Sequence, residues 1–195
     1  MSIIIGLTGP TGSGKSSASK TAAGFGLQVI DCDITAREAV KKGSPGLNAL
    51  SAAFGGEILL PDGSLDRKAL ARLAFRDAES TELLNKTILP FIAELVKRQT
   101  GGRDTLLDAP TLFESGLESI CTQTIAVLAD REIRLKRIIE RDGLTLNEAN
   151  LRINAGRDDG FYKRRAGYVL YNNGDEKAFL KRFSDIIKEI TGGIL

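Results

Sequence analysis

The sequence GPTGSGKS at residues 9–16 decides the fold, because it matches the phosphate-binding pattern G-x-x-x-x-G-K-[ST] without a gap. A β-branched apolar run at 2–7 precedes it and predicts a buried strand. A helical pattern follows and predicts a helix over 15–24. In such a strand, loop and helix, backbone amides and the helix N-terminus surround a phosphate group. The stretch therefore predicts nucleotide binding.

Six residues of the loop and the helix start are predicted to bind the nucleotide: Gly12, Ser13, Gly14, Lys15, Ser16 and Ser17. Lys15 is predicted to reach the β- and γ-phosphates of ATP, and the Ser16 hydroxyl to enter the coordination shell of Mg²⁺. The loop leaves the phosphate acceptor open between water, as in an ATPase or GTPase, and a hydroxyl group, as in a kinase. A guanine-reading Asn-Lys-x-Asp pattern begins at Asn85, but Ile88 replaces its aspartate.

Short apolar runs alternate with helical patterns along the rest of the chain. Strands are predicted over 2–7, 27–31, 105–108, 124–128 and 168–171. Helices are predicted over 15–24, 34–42, 45–54, 66–75, 81–99, 132–141, 146–165 and 176–190. This alternation is typical of a three-layer α/β fold with a parallel five-stranded sheet. About 70 residues separate the second and third strands, which predicts a helical substrate subdomain inserted there.

Two carboxylates end the second predicted strand. Strand alternation places Asp31 and Asp33 on one side, with Cys32 opposite. The carboxyl edge of an open parallel sheet is where ligands bind, so Asp33 is predicted to accept the proton of an attacking hydroxyl or to orient it. The alternative is that one of the pair only caps the next helix, and Asp33 precedes Ile34 as a cap would.

The third predicted strand also ends in a carboxylate. Asp108 closes an apolar run, as in a Walker B element, and is predicted to support the water shell of the metal. Glu114 follows six residues later and is predicted to contact the phosphate region or the substrate.

Three arginines form a stripe on one predicted helix. Arg134, Arg137 and Arg141 stand at positions i, i+3 and i+7, opposite an apolar stripe. One interpretation is a solvated face. The other is a lid whose guanidinium groups meet the ATP phosphates during transfer, and the phosphate loop favours it.

Composition excludes several classes of function. The chain has 195 residues, and 27 basic against 25 acidic residues give a net charge of +2, too small for a general nucleic-acid binder. No apolar run approaches the roughly 20 residues that cross a bilayer, and the first residues have no basic leader, so we expect a cytoplasmic protein without membrane contact. The absence of histidine excludes His-based triads and His-zinc sites. Cys32 and Cys121 lack metal-ligand spacing and are predicted to be packing residues.

In these motifs and their order, the chain resembles the dephospho-coenzyme A kinase family along nearly its whole length. The most specific segments are Asp31-Cys32-Asp33-Ile34-Thr35-Ala36-Arg37 and Asp108-Ala109-Pro110-Thr111-Leu112-Phe113-Glu114. Asp66-Arg67, Arg137, Arg141-Asp142-Gly143-Leu144, Arg152-Ile153 and Asn172-Asn173-Gly174 add to the match.

The resemblance implies one kinase domain over 1–195, made of a core (1–32, 103–130 and 166–195), a coenzyme A subdomain (33–102) and a lid (131–165). The implied reaction moves the γ-phosphate of ATP to the ribose 3′-hydroxyl of dephospho-coenzyme A. The implied roles are a catalytic Asp33 assisted by Lys15 and Arg141, nucleotide contacts from Arg137 and from Asn172 or Asn173, and substrate contacts from Asp33, Arg37, Arg67 and Glu114.

The match has three departures and leaves alternatives open. The loop has Pro10 and Thr11 where the family often has Gly and Ile, Leu89 precedes Pro90 where His is usual, and Gly156 replaces a frequent Gln. Another P-loop kinase of a nucleoside or small metabolite is the alternative enzyme, and a nucleotide-dependent switch is the alternative class. We expect a monomer or a weak homo-oligomer.

Overall fold

The computed structural model describes residues 2–193, so the predicted core positions 1, 194 and 195 lie outside the described residues. Five strands form one sheet: β1 Ile4–Thr8, β2 Gln28–Asp31, β3 Thr105–Asp108, β4 Gln123–Leu128 and β5 Tyr168–Tyr171. Their order is β2-β3-β1-β4-β5, and every neighbouring pair is parallel. The predicted α/β class with a parallel five-stranded sheet is confirmed.

The described helices connect and cover these strands. They are α1 Lys15–Gly24, α2 Cys32–Ala39, α3 Pro45–Phe54, α4 Arg67–Ala74, α5 Ala78–Thr100, α6 Arg131–Asp142, α7 Leu146–Asn154, α8 Asp159–Lys163 and α9 Glu176–Ile190. Short 3₁₀ turns lie at Gly56–Ile58 and Leu117–Ile120. Four of the helices, α2 to α5, form the segment between β2 and β3. Within residues 2–193, no helix has both the length and the apolar character needed to cross a bilayer.

Strand alternation gives the sheet two buried faces, because adjacent side chains point to opposite sides. Leu106 packs with α1 and α9, where Phe183 is fully buried. Its neighbour Leu107 packs on the other face with α5, through Ile92 and Val96. The two faces hold the three layers together and bring the carboxyl ends of the strands to one edge.

The start of α2 corrects the predicted helix 34–42. The helix begins at Cys32 because the Asp31 side chain is its N-cap, accepting from the backbone N–H groups of Asp33 (2.9 Å) and Ile34 (3.1 Å). The alternative that one of the two aspartates caps the next helix therefore holds for Asp31 and not for Asp33, and the strand alternation expected to extend to Asp33 is wrong because β2 ends at Asp31. Asp33 lies in the first turn of α2.

The predicted helix 146–165 is also wrong, because it is two helices. α7 ends at Asn154, and α8 begins after Asp158, whose side chain accepts from the Phe161 N–H at 2.8 Å. A capping box begins α7, with the side chains of Thr145 and Glu148 bonded to each other's backbone N–H. The segment between α7 and α8 is therefore a loop, and it faces the cavity described next.

Candidate active site

A cavity of about 1470 Å³ lies at the carboxyl edge of the sheet. The phosphate loop forms its floor, and side chains from α2, α5 and the α6–α8 region form its walls. Most predicted site residues line it: Gly12, Ser13, Gly14, Lys15, Ser16, Ser17, Asp33, Asp108, Glu114, Arg137 and Arg141. The topology thus brings segments from the whole chain to one site, as expected for an open parallel sheet.

The phosphate loop has the backbone of an anion-binding turn. Gly14, the residue before α1, has φ +98°, which L side chains rarely adopt. Lys15 donates from Nζ to the Gly9 carbonyl at 2.6 Å, so its ammonium group lies over the loop. Burial lowers the pKa of Lys15, with Arg141 and Arg134 acting in the same direction and Asp108 and Asp33 opposing it. These charges therefore surround the predicted phosphate site.

The loop is supported from β5. Asn172, 4 % exposed, donates from Nδ2 to the Ser13 carbonyl at 3.0 Å and accepts at Oδ1 from Arg137 at 3.2 Å. A Cβ at Gly14 would collide with this amide, so only glycine fits beneath it. Asn172 does not line the cavity. Asn173, next in sequence, is exposed and accepts at Oδ1 from the Asp130 N–H at 2.8 Å.

A second support comes from α6. Arg134 is 5 % exposed, and its Nε donates to the Thr11 carbonyl at 2.9 Å. Arg137 Nη1 lies 3.4 Å from the carbonyls of both Gly12 and Ser13. Neither Arg134 nor Arg137 therefore lies on a solvated helix face.

Arg141, the third arginine of the stripe, lines the cavity and is bound to a carboxylate. Its guanidinium donates to the two oxygens of Asp142 at 2.7 and 2.8 Å. Arg152 donates to the same carboxylate at 2.5 Å. The hydrogen bonds to Asp142 raise the pKa of Arg141, so its positive charge is secure at the cavity wall.

Asp33 has the electrostatics of a proton acceptor in a cleft. Burial raises the pKa of its carboxyl, and the neighbouring Asp31 carboxylate raises it further. Arg37, one turn later on α2, opposes the shift by stabilising the ionised form. Arg37 does not itself line the cavity. Arg37 therefore acts on the site through the effect of its charge on the pKa of Asp33.

Asp108 and Ser16 bring oxygen donors to the same cavity. Asp108 accepts from the Ser19 hydroxyl at 2.6 Å through Oδ2, which fixes the orientation of its carboxylate. Arg67, by contrast, is the first residue of α4 and does not line the cavity. Its predicted substrate contact stays a prediction.

Sequence patterns missed several residues that line the cavity. Phe75 is 66 % exposed at the end of α4, and Leu84 of α5 lies on the same side. Asn85 holds the Glu114 carbonyl with a 2.6 Å hydrogen bond. Tyr162 presents a mostly buried ring from α8. Only Phe75, a large aromatic residue at the end of a short helical pattern, gives a signal that sequence analysis can detect.

Comparison with known proteins agrees with this geometry. The family model described as dephospho-CoA kinase matches residues 3–178. A dephospho-CoA kinase of Moorella thermoacetica is 42 % identical over 182 residues, which cover 90 % of this chain and 86 % of the relative. One from Arabidopsis thaliana is 36 % identical over 193 residues, covering 96 % of this chain and 83 % of the relative.

A solved structure extends the agreement to three dimensions. The crystal structure of TT1252 from Thermus thermophilus superposes with a TM-score of 0.73 at 31 % identity, covering 100 % of this chain and 98 % of that one. The matched region includes the phosphate loop, Asp33 and the α6–α8 arginines. On these grounds, the chain belongs to the dephospho-CoA kinase family.

Proposed function

We propose that this chain transfers the γ-phosphoryl group of ATP to the ribose 3′-hydroxyl of dephospho-coenzyme A, giving coenzyme A and ADP. The observation that carries the proposal is that the phosphate loop and the Asp33 carboxylate line one cavity. A nucleotide-binding switch needs no such carboxylate opposite its phosphate loop. Membership of the dephospho-CoA kinase family supports the identity of the acceptor.

The loop residues Gly12 to Ser17 bind the ATP phosphates through backbone amides, and the Lys15 ammonium neutralises charge on the transferred group. Asn172 and Arg137 hold the loop carbonyls so that the amides point into the cavity. Asn173, exposed beside them, is the residue proposed to face the adenine base.

The donor set fits Mg²⁺. Ser16 contributes a hydroxyl and Asp108 a carboxylate, and both are the hard oxygen donors that Mg²⁺ prefers. Among residues 2–193 there is no cluster of three or more His, Cys, Asp or Glu side chains that would hold a metal unaided. This agrees with an ion held largely by the nucleotide, as is usual in phosphotransferases. When bound, Mg²⁺ would neutralise part of the negative charge of the ATP phosphates.

Asp33 accepts the proton as the acceptor oxygen attacks. A bond forms between the 3′-oxygen and the γ-phosphorus, the bond from that phosphorus to the β,γ-bridging oxygen breaks, and the hydroxyl proton passes to the Asp33 carboxylate. The electron pair of the broken bond stays with ADP. The raised pKa of Asp33 makes its carboxylate a stronger base than an ordinary aspartate.

The other elements of the site each act on one of the two substrates, the acceptor or ATP. The insert α2–α5 binds dephospho-coenzyme A, with Glu114 at the cavity wall and Arg37 stabilising the ionised form of Asp33. Arg67, the first residue of α4, is proposed to contact the part of the acceptor that extends beyond the cavity. The helices α6–α8 form the lid, and Arg141 stabilises charge on the transferred group. A cytoplasmic location and a monomeric or weakly associated state stay predictions from the sequence.

The experiment is a coupled ADP-release assay with dephospho-coenzyme A, AMP and adenosine as acceptors. Dephospho-coenzyme A should react far faster than AMP, because binding of the pantetheine arm positions the same 3′-hydroxyl. Phosphorus and ribose NMR should locate the new phosphate at the 3′ position. Equal rate constants for AMP, or phosphate at another hydroxyl, would favour a nucleoside kinase instead.

Asp33→Asn separates catalysis from binding. Turnover should fall by roughly 10²–10⁴-fold, the scale of general base catalysis, while ATP binding is retained. The melting temperature at neutral pH should stay the same or rise, because the raised pKa means that the ionised carboxylate is unfavourable in the folded state. An equal loss of ATP binding and of turnover would instead assign Asp33 a structural role.

A further inference from the structure

The basic side chains of the cavity differ in how far they are already engaged. Within the described residues, five of them line it: Lys15, Arg137, Arg141, Arg152 and Arg157. The first four donate hydrogen bonds to loop carbonyls or to Asp142. Arg157 alone makes no hydrogen bond within residues 2–193, and its nearest carboxylate oxygen, Glu114 Oε1, is 3.9 Å from Nε.

Arg157 is nevertheless held in place. It lies in the loop between α7 and α8, and its guanidinium carbon sits 5.2 Å from the centroid of the Phe161 ring. Arg165 contacts the same ring, and its guanidinium carbon is 4.1 Å from the centroid. Phe161 in turn packs edge-on against Phe113 and Tyr162. Cation–π contact with an anchored ring orients Arg157 without using its N–H donors.

The place of Arg157 in the cavity differs from that of the loop cations. Arg141 and Arg134 lie close enough to Lys15 to lower its pKa. Arg157 lies beside Glu114 and Tyr162, and it stabilises the ionised form of Tyr162. One oxygen of Glu114, Oε2, is buried without a partner among residues 2–193. Among these five cavity cations of the described residues, Arg157 is thus the one that donates no hydrogen bond, and its neighbours are Glu114 and Phe161 rather than the loop carbonyls.

The proposed acceptor brings its own negative charge to this cavity. Dephospho-coenzyme A carries a diphosphate between its adenosine and its pantetheine arm, and the phosphate loop is already occupied by ATP during transfer. We propose that Arg157 binds the diphosphate of the acceptor and so selects acceptors that carry one. A planar guanidinium with free N–H groups pairs with phosphate oxygens in a bidentate manner. This inference rests on the proposed function and assigns one of its specificity residues.

The test compares Arg157→Gln with Arg165→Gln. Both changes remove one guanidinium from the same Phe161 ring, but Arg165 does not line the cavity, so it is the matched control. Arg157→Gln should raise KM for dephospho-coenzyme A by about 10-fold, the effect of one charged hydrogen bond, and leave KM for ATP within about twofold. Arg165→Gln should leave both constants at wild-type values. Arg157→Lys, which keeps the charge without the fork, should fall between Arg157→Gln and wild type.

Adenosine provides the second arm of the test. It offers the same 3′-hydroxyl without any phosphate, so its slow reaction should be the same in wild type and in Arg157→Gln. An equal effect on adenosine and on dephospho-coenzyme A, or no effect on either, would overturn this inference while the wild-type activity still supported the proposed function. A wild-type protein that does not phosphorylate dephospho-coenzyme A would overturn the proposed function itself. Arg157 is 60 % exposed, so circular dichroism and thermal melting of Arg157→Gln should match wild type.

Discussion

Replacing Asn172 by alanine tests whether the phosphate loop is held from β5. The change removes the 3.0 Å bond to the Ser13 carbonyl and the 3.2 Å bond from Arg137. A neutral hydrogen bond contributes about 1 kcal/mol, and we count the partly exposed bond to arginine at about the same, which gives about 2 kcal/mol in all. For a domain of this size, a loss of 1 kcal/mol lowers the melting temperature by about 2–4 °C. Asn172→Ala should therefore melt about 4–8 °C below wild type.

Urea unfolding and thermal melting measure that loss, and KM for ATP measures its consequence for the loop. KM for ATP should rise in Asn172→Ala, because the carbonyl of Ser13 is no longer fixed. Asn173→Ala is the control for stability, since Asn173 is exposed and its side chain accepts only from the Asp130 N–H among the described residues. Asn173→Ala should lose at most about 1 kcal/mol, and a raised KM for ATP without further destabilisation would identify Asn173 as the adenine contact. Wild-type stability in Asn172→Ala would refute the reasoning.

Three further predictions follow from the charges and exposed surface of the cavity. Because burial and the Asp31 carboxylate raise the pKa of Asp33, the acid limb of the kcat/KM profile should lie at higher pH than an unshifted aspartate would give. Asp31→Asn, which keeps the cap oxygen, should move that limb to lower pH, and Arg37→Gln should move it to higher pH; an unmoved limb in both variants would exclude Asp33 as the titrating base. Arg141→Ala should lower kcat more than it raises KM for ATP, because its charge acts mainly in the transition state; unchanged kcat would contradict this. Phe75→Ala should raise KM for dephospho-coenzyme A several-fold with KM for ATP unchanged, because exposed aromatic surface in a cavity binds apolar parts of a ligand; equal effects on both substrates would contradict this.

Local patterns predicted the parts of this molecule that depend on local physics. The phosphate loop, the strands and most helix bounds follow from glycine placement and apolar periodicity over a few residues. The β2–α2 junction was predicted wrongly because strand alternation and helix capping compete at Asp31, and the cap is satisfied with two backbone N–H groups. The break between α7 and α8 was missed because Asp158 acts as a cap inside a continuous helical pattern.

The residues that hold the phosphate loop in place could not be predicted from local patterns, for a different reason. Asn172 bonds to a residue 159 positions away, and Arg134 to one 123 positions away. No spacing rule connects such pairs, because their contact depends on the order of the strands in the sheet. The sequence motifs therefore identify the groups that meet the substrates more readily than the groups that hold them.

The arginine stripe of α6 illustrates how one periodic pattern acquires several roles. Positions three and four apart share a helix face, but that face crosses from beneath the phosphate loop to the open cavity. Arg134 is buried and bonded to Thr11, Arg137 is bonded to the next two loop carbonyls, and Arg141 stands at the cavity wall on Asp142. The first two donate N–H groups to carbonyls of the loop backbone, whereas Arg141 donates to a carboxylate. The helix thus supports the phosphate loop at one end and places a guanidinium group at the cavity wall at the other.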